Sequence, residues 1–310
     1  MKYFIYILLF SLISCFRDPH TTHPAPAKTK NVIIVIMDGA RYSETWGDPS
    51  HTNIPRMAAL ASQGVVCTSF WNAGQTVTVA GHTAITTGNY QVINNGGQEL
   101  PASPSIFQYY RSNFLVAPED AWVFASKDKL EVLSDCVDAE WKGQFRPRTD
   151  CGVNGLNTGY RDDSVTYRHV IDTLTKYHPH LVLINFKEPD GAGHSNNWID
   201  YIAQTKKTDA YIGKLWDFLQ GDPAYAGSTA MFVTNDHGRH LDGVSGGFAG
   251  HGCTCTGCSH IMLLAVGPDF KTSHYEEGYY TLVDIPRTAA LLLKMNFPRG
   301  EGIVMTTIFK

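Results

Sequence analysis

Three stretches of this chain are apolar and largely β-branched from end to end, and each leads into a carboxylate. NVIIVIM at 31–37 runs directly into Asp38, LVLINF at 181–186 is followed by KEP and then Asp190, and TAMFVT at 229–234 is followed by Asn235, Asp236 and His237. A strand that is apolar on both faces must be covered on both faces, which is the condition of a strand inside a parallel sheet. IMLLAV at 261–266 is a fourth such run and WVFA at 122–125 a weaker fifth. Helical spacing of apolar residues falls between them, over 54–62, 161–177, 198–219 and 284–295. Residues 143–159, rich in Gly, Asn and Thr, read as a long surface loop. Strands alternating with helices predict an α/β fold, a mostly parallel central sheet with helices on both faces.

The first residues read as an address. Lys2 precedes an apolar run over 3–13, too short for a mature membrane span but suited to a secretory leader. The run ends in Ser14-Cys15, which resembles the lipobox of bacterial lipoproteins. That implies a signal peptide over 1–14 and a lipid on Cys15. Residues 15–30 contain Pro19, Pro24 and Pro26 without apolar periodicity and read as a flexible tether. A single hydrolase-sized domain is expected over 31–310. No later stretch reaches 18 uncharged apolar residues, so the lipid is the expected membrane attachment, facing the periplasm or the cell surface.

Export permits disulfides. Besides Cys15 the chain holds Cys67, Cys136, Cys151, Cys253, Cys255 and Cys258. The simplest expectation joins Cys136 to Cys151 and bridges two of the Cys253, Cys255 and Cys258 cluster. Zinc on that cluster is the alternative, short of an obvious fourth ligand. A net charge of −4 gives no electrostatic footing for nucleic acid, and no nucleic-acid-binding signature is present.

In open α/β sheets, sites form beyond the carboxyl ends of the strands. There the chain would gather Asp38, Asp190, Asp236 and His237, with His194 and His251 on neighbouring loops. Ionised carboxylates brought together need a compensating charge. Divalent cations supply it, and mixed carboxylate and imidazole ligands suit zinc better than calcium.

Five motifs carry a resemblance: MDGAR at 37–41, TVTVAGH at 76–82 running into TTG at 86–88, EPDGAGH at 188–194, NDHG at 235–238 and GHG at 250–252. In this order they resemble the alkaline phosphatase superfamily, and within it the type I phosphodiesterase/nucleotide pyrophosphatase branch. The resemblance implies two zinc ions, other divalent metals being possible. Asp190, His194 and His251 would hold one; Asp38, Asp236, His237 and Thr78 would hold the other. It implies that Thr78 is the nucleophile, preceding a helix over 81–87, and that Asn95, rather than Asn94, contacts a phosphoryl oxygen. Proline often precedes the Gly-His pair in that family; here Ala80 does.

The expected function is therefore a zinc-dependent phosphoric-ester hydrolase acting on a small-molecule phosphodiester or nucleotide pyrophosphate. A phosphomonoesterase of the same fold is the near alternative. The sequence assigns no Lys or Arg to such a dianion, which favours diesters. A sulfatase is disfavoured because residues 76–82 contain neither Cys nor Arg. A non-catalytic zinc-binding lipoprotein is the alternative from another class. Arg41 is expected to form a structural salt bridge, His82 to hydrogen-bond a loop, and His240, His260 and His274 to be surface or core residues. Trp71 and Tyr160 are candidates for a substrate cleft.

Overall fold

The computed structural model describes residues 28–310. The expected leader, Cys15 and most of the expected tether lie outside the described residues. Thr29 already belongs to the domain: it is buried, and its amide and hydroxyl donate to Asp269 Oδ2 at 2.8 and 2.7 Å.

Among the described residues the strands are β1 (Asn31–Met37), β2 (Gly64–Trp71), β3 (Ala121–Ala125), β4 (Arg148–Cys151), β5 (Leu181–Phe186), β6 (Thr229–Thr234), β7 (His260–Val266), β8 (His274–Glu276) and β9 (Tyr280–Thr281). The helices are α1 (Pro55–Leu60), α2 (Thr78–Thr87), α3 (Ile106–Phe114), α4 (Asp163–Tyr177), α5 (Asp190–His194), α6 (Trp198–Gly221), α7 (Thr256–Ser259) and α8 (Asp284–Leu292). The strands form one sheet in the order β4-β3-β5-β1-β6-β7-β2-β8, with β9 also on β2. β1 pairs in parallel with β5 and β6, and β3 with β4 and β5. β7 runs against both β6 and β2.

The apolar runs behave as their composition requires. Alternate residues of β1 face opposite sides. Ile33, Val35 and Met37 join Met57, Val170, Leu174, Leu215 and Leu219 beneath α1, α4 and α6. Val32, Ile34 and Ile36 join Val79, Ile85, Ile106, Ile285 and Leu292 beneath α2, α3 and α8. Each of these side chains, removed from water, contributes about 1.5–3 kcal/mol.

Three local expectations are corrected. β2, next to one edge of the sheet, was not anticipated, because GVVCTSFW mixes polar Thr68 and Ser69 into its run where the pairing with β7 shifts register. The segment expected as a surface loop over 143–159 contributes edge strand β4. α2 begins at Thr78 rather than 81, so Thr78 is the first helical residue. The expected disulfides are also overturned: all six cysteines of the described residues are free, and Cys151 Sγ lies against Val123 O at 3.7 Å.

Orientation positions the site. β1, β3, β5 and β6 run the same way and end at the same rim. β2 runs with them and delivers the chain to Thr78. β7 runs the other way, so its first residues, not its last, lie at that rim.

Candidate active site

Asp38 follows β1, Asp190 opens α5 just after β5, and Asp236 and His237 follow β6. Adjacent side chains alternate within a strand, so Asp236 and His237 share a site only because the strand has ended at Thr234. Asp190 and His194 are brought together by a single helical turn, with Nε2 3.4 Å from Oδ2. Gly39 adopts φ +70°, and a Cβ there would lie 2.7 Å from the Asp190 Cβ. A side chain at 39 would therefore drive Asp38 and Asp190 apart. Gly81 serves α2 likewise: a Cβ would lie 2.5 Å from Asp236 O.

Two imidazole–carboxylate groups result. His237 Nε2 lies 3.6 Å from Asp38 Oδ1 and 3.4 Å from Asp236 Oδ2. His251 Nε2 lies 3.6 Å from Asp190 Oδ1 and 3.1 Å from His194 Nε2. His237 and His251 link the groups, their rings stacked at 3.9 Å. All these residues are buried except His194 and, in part, His251.

The hydrogen-bond partners fix which nitrogen of each ring faces inward. His237 Nδ1 donates to Gly238 O at 2.8 Å, and His251 Nδ1 to Thr76 O at 2.9 Å. Each ring therefore turns an Nε2 lone pair inward, the tautomer inferred from the carbonyl partners. Burial pushes His237 down to about 3 and His251 down to about 4, so both rings are neutral near pH 7. His237 Nε2 and Asp236 Oδ2 are buried without a hydrogen-bond partner. Lone pairs facing carboxylate oxygens repel unless a cation lies between them. The donor set thus fits a divalent metal, and Asp190, His237 and His251, like Asp38, His82 and Asp236, have ligand atoms within 4.8 Å of one another.

Thr78 and Asn95 join this rim. Thr78 is buried at the start of α2, and Asn95 Oδ1 accepts from Val79 N at 2.9 Å, beside it. Thr76, the neighbouring hydroxyl, is turned to Cys253 O at 2.8 Å. Asp38 is oriented from behind: Asn185 Nδ2 donates to its Oδ2 at 2.9 Å and lies 3.1 Å from His82 Nε2. His82 was expected to hydrogen-bond a loop, and its Nδ1 lies 3.3 Å from Oδ2 of Asp236, in the loop after β6. The His82 ring is wholly buried, with Nδ1 2.8 Å from Thr78 O one helical turn away. Arg41 is structural as expected, paired with Glu44 and Asp242.

Residues 32–240 match the type I phosphodiesterase / nucleotide pyrophosphatase family. The chain belongs to this family. It is 22% identical over 309 residues to bis(5'-adenosyl)-triphosphatase ENPP4 of Homo sapiens, covering 96% of this chain and 61% of that protein. The chain thus spans about three-fifths of that relative's length. Murine ectonucleotide pyrophosphatase / phosphodiesterase 5 superposes with a TM-score of 0.66 at 14% identity, over 90% of this chain and 100% of that one. The phosphonate monoester hydrolase of Silicibacter pomeroyi gives 0.66 at 14% identity, over 89% and 76%. These two likenesses establish a shared alkaline-phosphatase-like fold.

This member of the family carries cationic groups that the sequence reading did not find. Lys127, just past β3, places Nζ 2.9 Å from Asp38 Oδ1, 2.7 Å from Asp190 Oδ2 and 3.2 Å from Thr78 Oγ1. Burial opposes its charge, but Asp190, Asp38 and Asp236 outweigh burial and keep it an ammonium. Lys129 Nζ reaches Asn95 Oδ1 at 3.2 Å and is pushed down to about 8 by burial and by Lys127. Arg239, fully buried, donates to Asp190 Oδ1 and to Ala249 O. Burial alone would raise Asp190, yet Lys127, the His194 hydrogen bond and Arg239 hold its carboxyl well below the usual range. The signal for Lys127 and Lys129 in the sequence is the charged run KDK at 127–129 shortly after WVFA. Trp71 lines a cleft of about 220 Å³ with Asn72, Thr76, Thr254 and Tyr279, and Tyr160 is half-exposed.

Proposed function

We propose that this protein is a zinc-dependent phosphoric-ester hydrolase of the phosphodiesterase/nucleotide pyrophosphatase type, with Thr78 as its nucleophile. One observation carries the reading. Buried, inward-facing acceptor atoms of His237 and Asp236, neither of them hydrogen-bonded, lie at the same rim as a buried threonine hydroxyl that shares Lys127 with Asp38 and Asp190. Asp190, His194 and His251 would hold one metal; Asp38, Asp236 and His237, with Thr78, would hold the other. Bound zinc would supply Lewis acidity toward a hydroxyl and a phosphoryl oxygen.

The chain's own groups do the rest. Thr78 Oγ gives up its proton to solvent as it attacks phosphorus in line, forming an O–P bond while the ester P–O bond breaks, and the leaving oxygen departs with the electron pair and takes up a proton. Water then cleaves the phosphothreonine and restores the hydroxyl. Asn95, its Oδ1 held by Val79 N and Lys129 Nζ, would donate through Nδ2 to a phosphoryl oxygen. Lys127 offers positive charge to the nucleophile and to the phosphoryl group together.

Phosphomonoesters are a second reading with a specific observation in its favour. Lys127 and Lys129 remove the argument that this site offers no cation to a dianion. A panel of aryl phosphodiester, aryl phosphomonoester and aryl sulfate, assayed with zinc, separates the readings. The diester is expected to turn over fastest, and Thr78→Ala to abolish turnover. Full activity in Thr78→Ala would refute the nucleophile.

A lipid on Cys15 would hold the domain at a bacterial membrane, facing the periplasm or cell surface. Labelled palmitate incorporated by the wild type and not by Cys15→Ala is the expected result.

A further inference from the structure

The three clustered cysteines have a fourth partner. His240 places Nδ1 3.0 Å from Cys253 Sγ and 3.3 Å from Cys258 Sγ, and these two sulfurs are 3.7 Å apart. Cys255 completes a set in which all four ligand atoms lie within 4.8 Å of one another. Zinc bound at about 2.3 Å by thiolates and about 2.0 Å by imidazole would set sulfur–sulfur edges of about 3.8 Å and sulfur–nitrogen edges of about 3.5 Å in a tetrahedron. The observed edges are near these values, and the set needs only a small expansion.

We propose that His240, Cys253, Cys255 and Cys258 form a structural Cys₃His zinc site, separate from the catalytic rim. Cys255 and Cys258 have the C-x₂-C spacing of such sites, bent together by α7, in which Cys258 N bonds Cys255 O at 2.9 Å. The cluster forms because β7 is antiparallel: its first residues meet the residues that follow β6. The His240 ring is backed by Gly250, where a Cβ would lie 3.0 Å from Cδ2.

The site would close a loop rather than react. His240 and Cys253 bracket the glycine-rich segment 241–252, which ends in His251-Gly252. His240 N also bonds Gly250 O at 2.8 Å, and Cys253 O accepts from Thr76, whose own carbonyl holds the His251 ring. Arg239, immediately before His240, holds Asp190. A zinc ion here would fix both ends of the segment and so position His251 and Arg239. Four protein ligands leave no open position for substrate, the mark of a structural site.

The test uses cobalt, because the catalytic rim contains no sulfur. Full-length protein purified under non-oxidising conditions and loaded with Co²⁺ is expected to show an intense near-ultraviolet thiolate-to-cobalt charge-transfer band. The band should vanish in Cys258→Ser and persist in Asp38→Ala/Asp190→Ala. That same double variant, loaded with zinc and freed of excess, should retain one equivalent. This readout holds whether or not the catalytic reading is right. Should Cys258→Ser fail to fold, thiol mapping of the wild type decides: all three cysteines should resist alkylation until a chelator is added. A wild type without the band, or protein from cells with a disulfide between two of the three, would overturn the site.

Discussion

Lys127 Nζ lies 3.2 Å from Thr78 Oγ1, although 49 residues separate them in sequence. The contact exists because β3 and β2 run the same way and spill their following residues onto one rim, where α2 begins. An ammonium beside the hydroxyl, tied also to Asp38 and Asp190, places positive charge where a phosphoryl transfer needs it.

Replacing Lys127 by Met removes that charge while keeping a long apolar stem. Loss of one preorganised electrostatic partner costs on the order of 10²–10³ in kcat. The expected outcome is a drop of that size in steady-state kcat, with Lys127→Arg recovering part of it. An unchanged kcat in Lys127→Met would assign the residue to stability alone.

Thr76 and Thr78 are two residues apart and differ in what they face. Thr78 shares Lys127 with two acids, whereas Thr76 donates to Cys253 O. Thr78→Ala is expected to lower kcat by at least about 10³-fold, as nucleophile removal does in other hydrolases. Thr76→Ala should reduce it by no more than about tenfold, through the loosened hold on His251. Comparable losses in both variants would contradict the assignment.

Lys129 titrates near the working range. Its folded value of about 8 means a charged ammonium below that pH and a neutral amine above it. If its charge helps retain an anionic substrate, KM should rise as pH passes through 8. Lys129→Met should flatten that rise, and Lys129→Arg should abolish it while keeping KM low, because guanidinium stays charged. KM measured from pH 6.5 to about 9.5 in the three proteins tests this.

Asp163 makes a stability prediction. It accepts from Ser126 Oγ and from the amides of Lys187 and Glu188, joining the ends of β3 and β5 at the start of α4. Burial nonetheless raises it to about 6. A folded value above the unfolded one means that the folded state binds the proton more tightly. The stabilising share is therefore complete below about pH 4 and lost as pH rises through 6. Relative to Asp163→Asn, the wild type should lose roughly 3 kcal/mol between pH 3 and 7. Urea unfolding at several pH values measures the difference, and parallel curves for the two proteins would refute it.

Much of this was legible in the chain alone. β1, β5 and β6 were readable to the residue, because continuous β-branched runs have no other stable place than a sheet covered on both faces. Asp38, Asp190, Asp236 and His237 were readable because they stand where those runs stop, and motif order linked them to Thr78, His194 and His251. The sequence by itself thus determined which side chains could meet at one rim.

What only the tertiary structure decided were relationships without a periodic signal. β2 is broken by Thr68 and Ser69 at a shift in register, so its apolar pattern is short. Lys127 and Arg239 look like ordinary charged residues until strand direction turns them inward against the acids. His240 is 13 residues from Cys253, and nothing local marks it as the fourth member of a thiol cluster. The antiparallel course of β7 brings the two together, since long-range pairing, unlike local periodicity, is set by which strand lies beside which and in which direction.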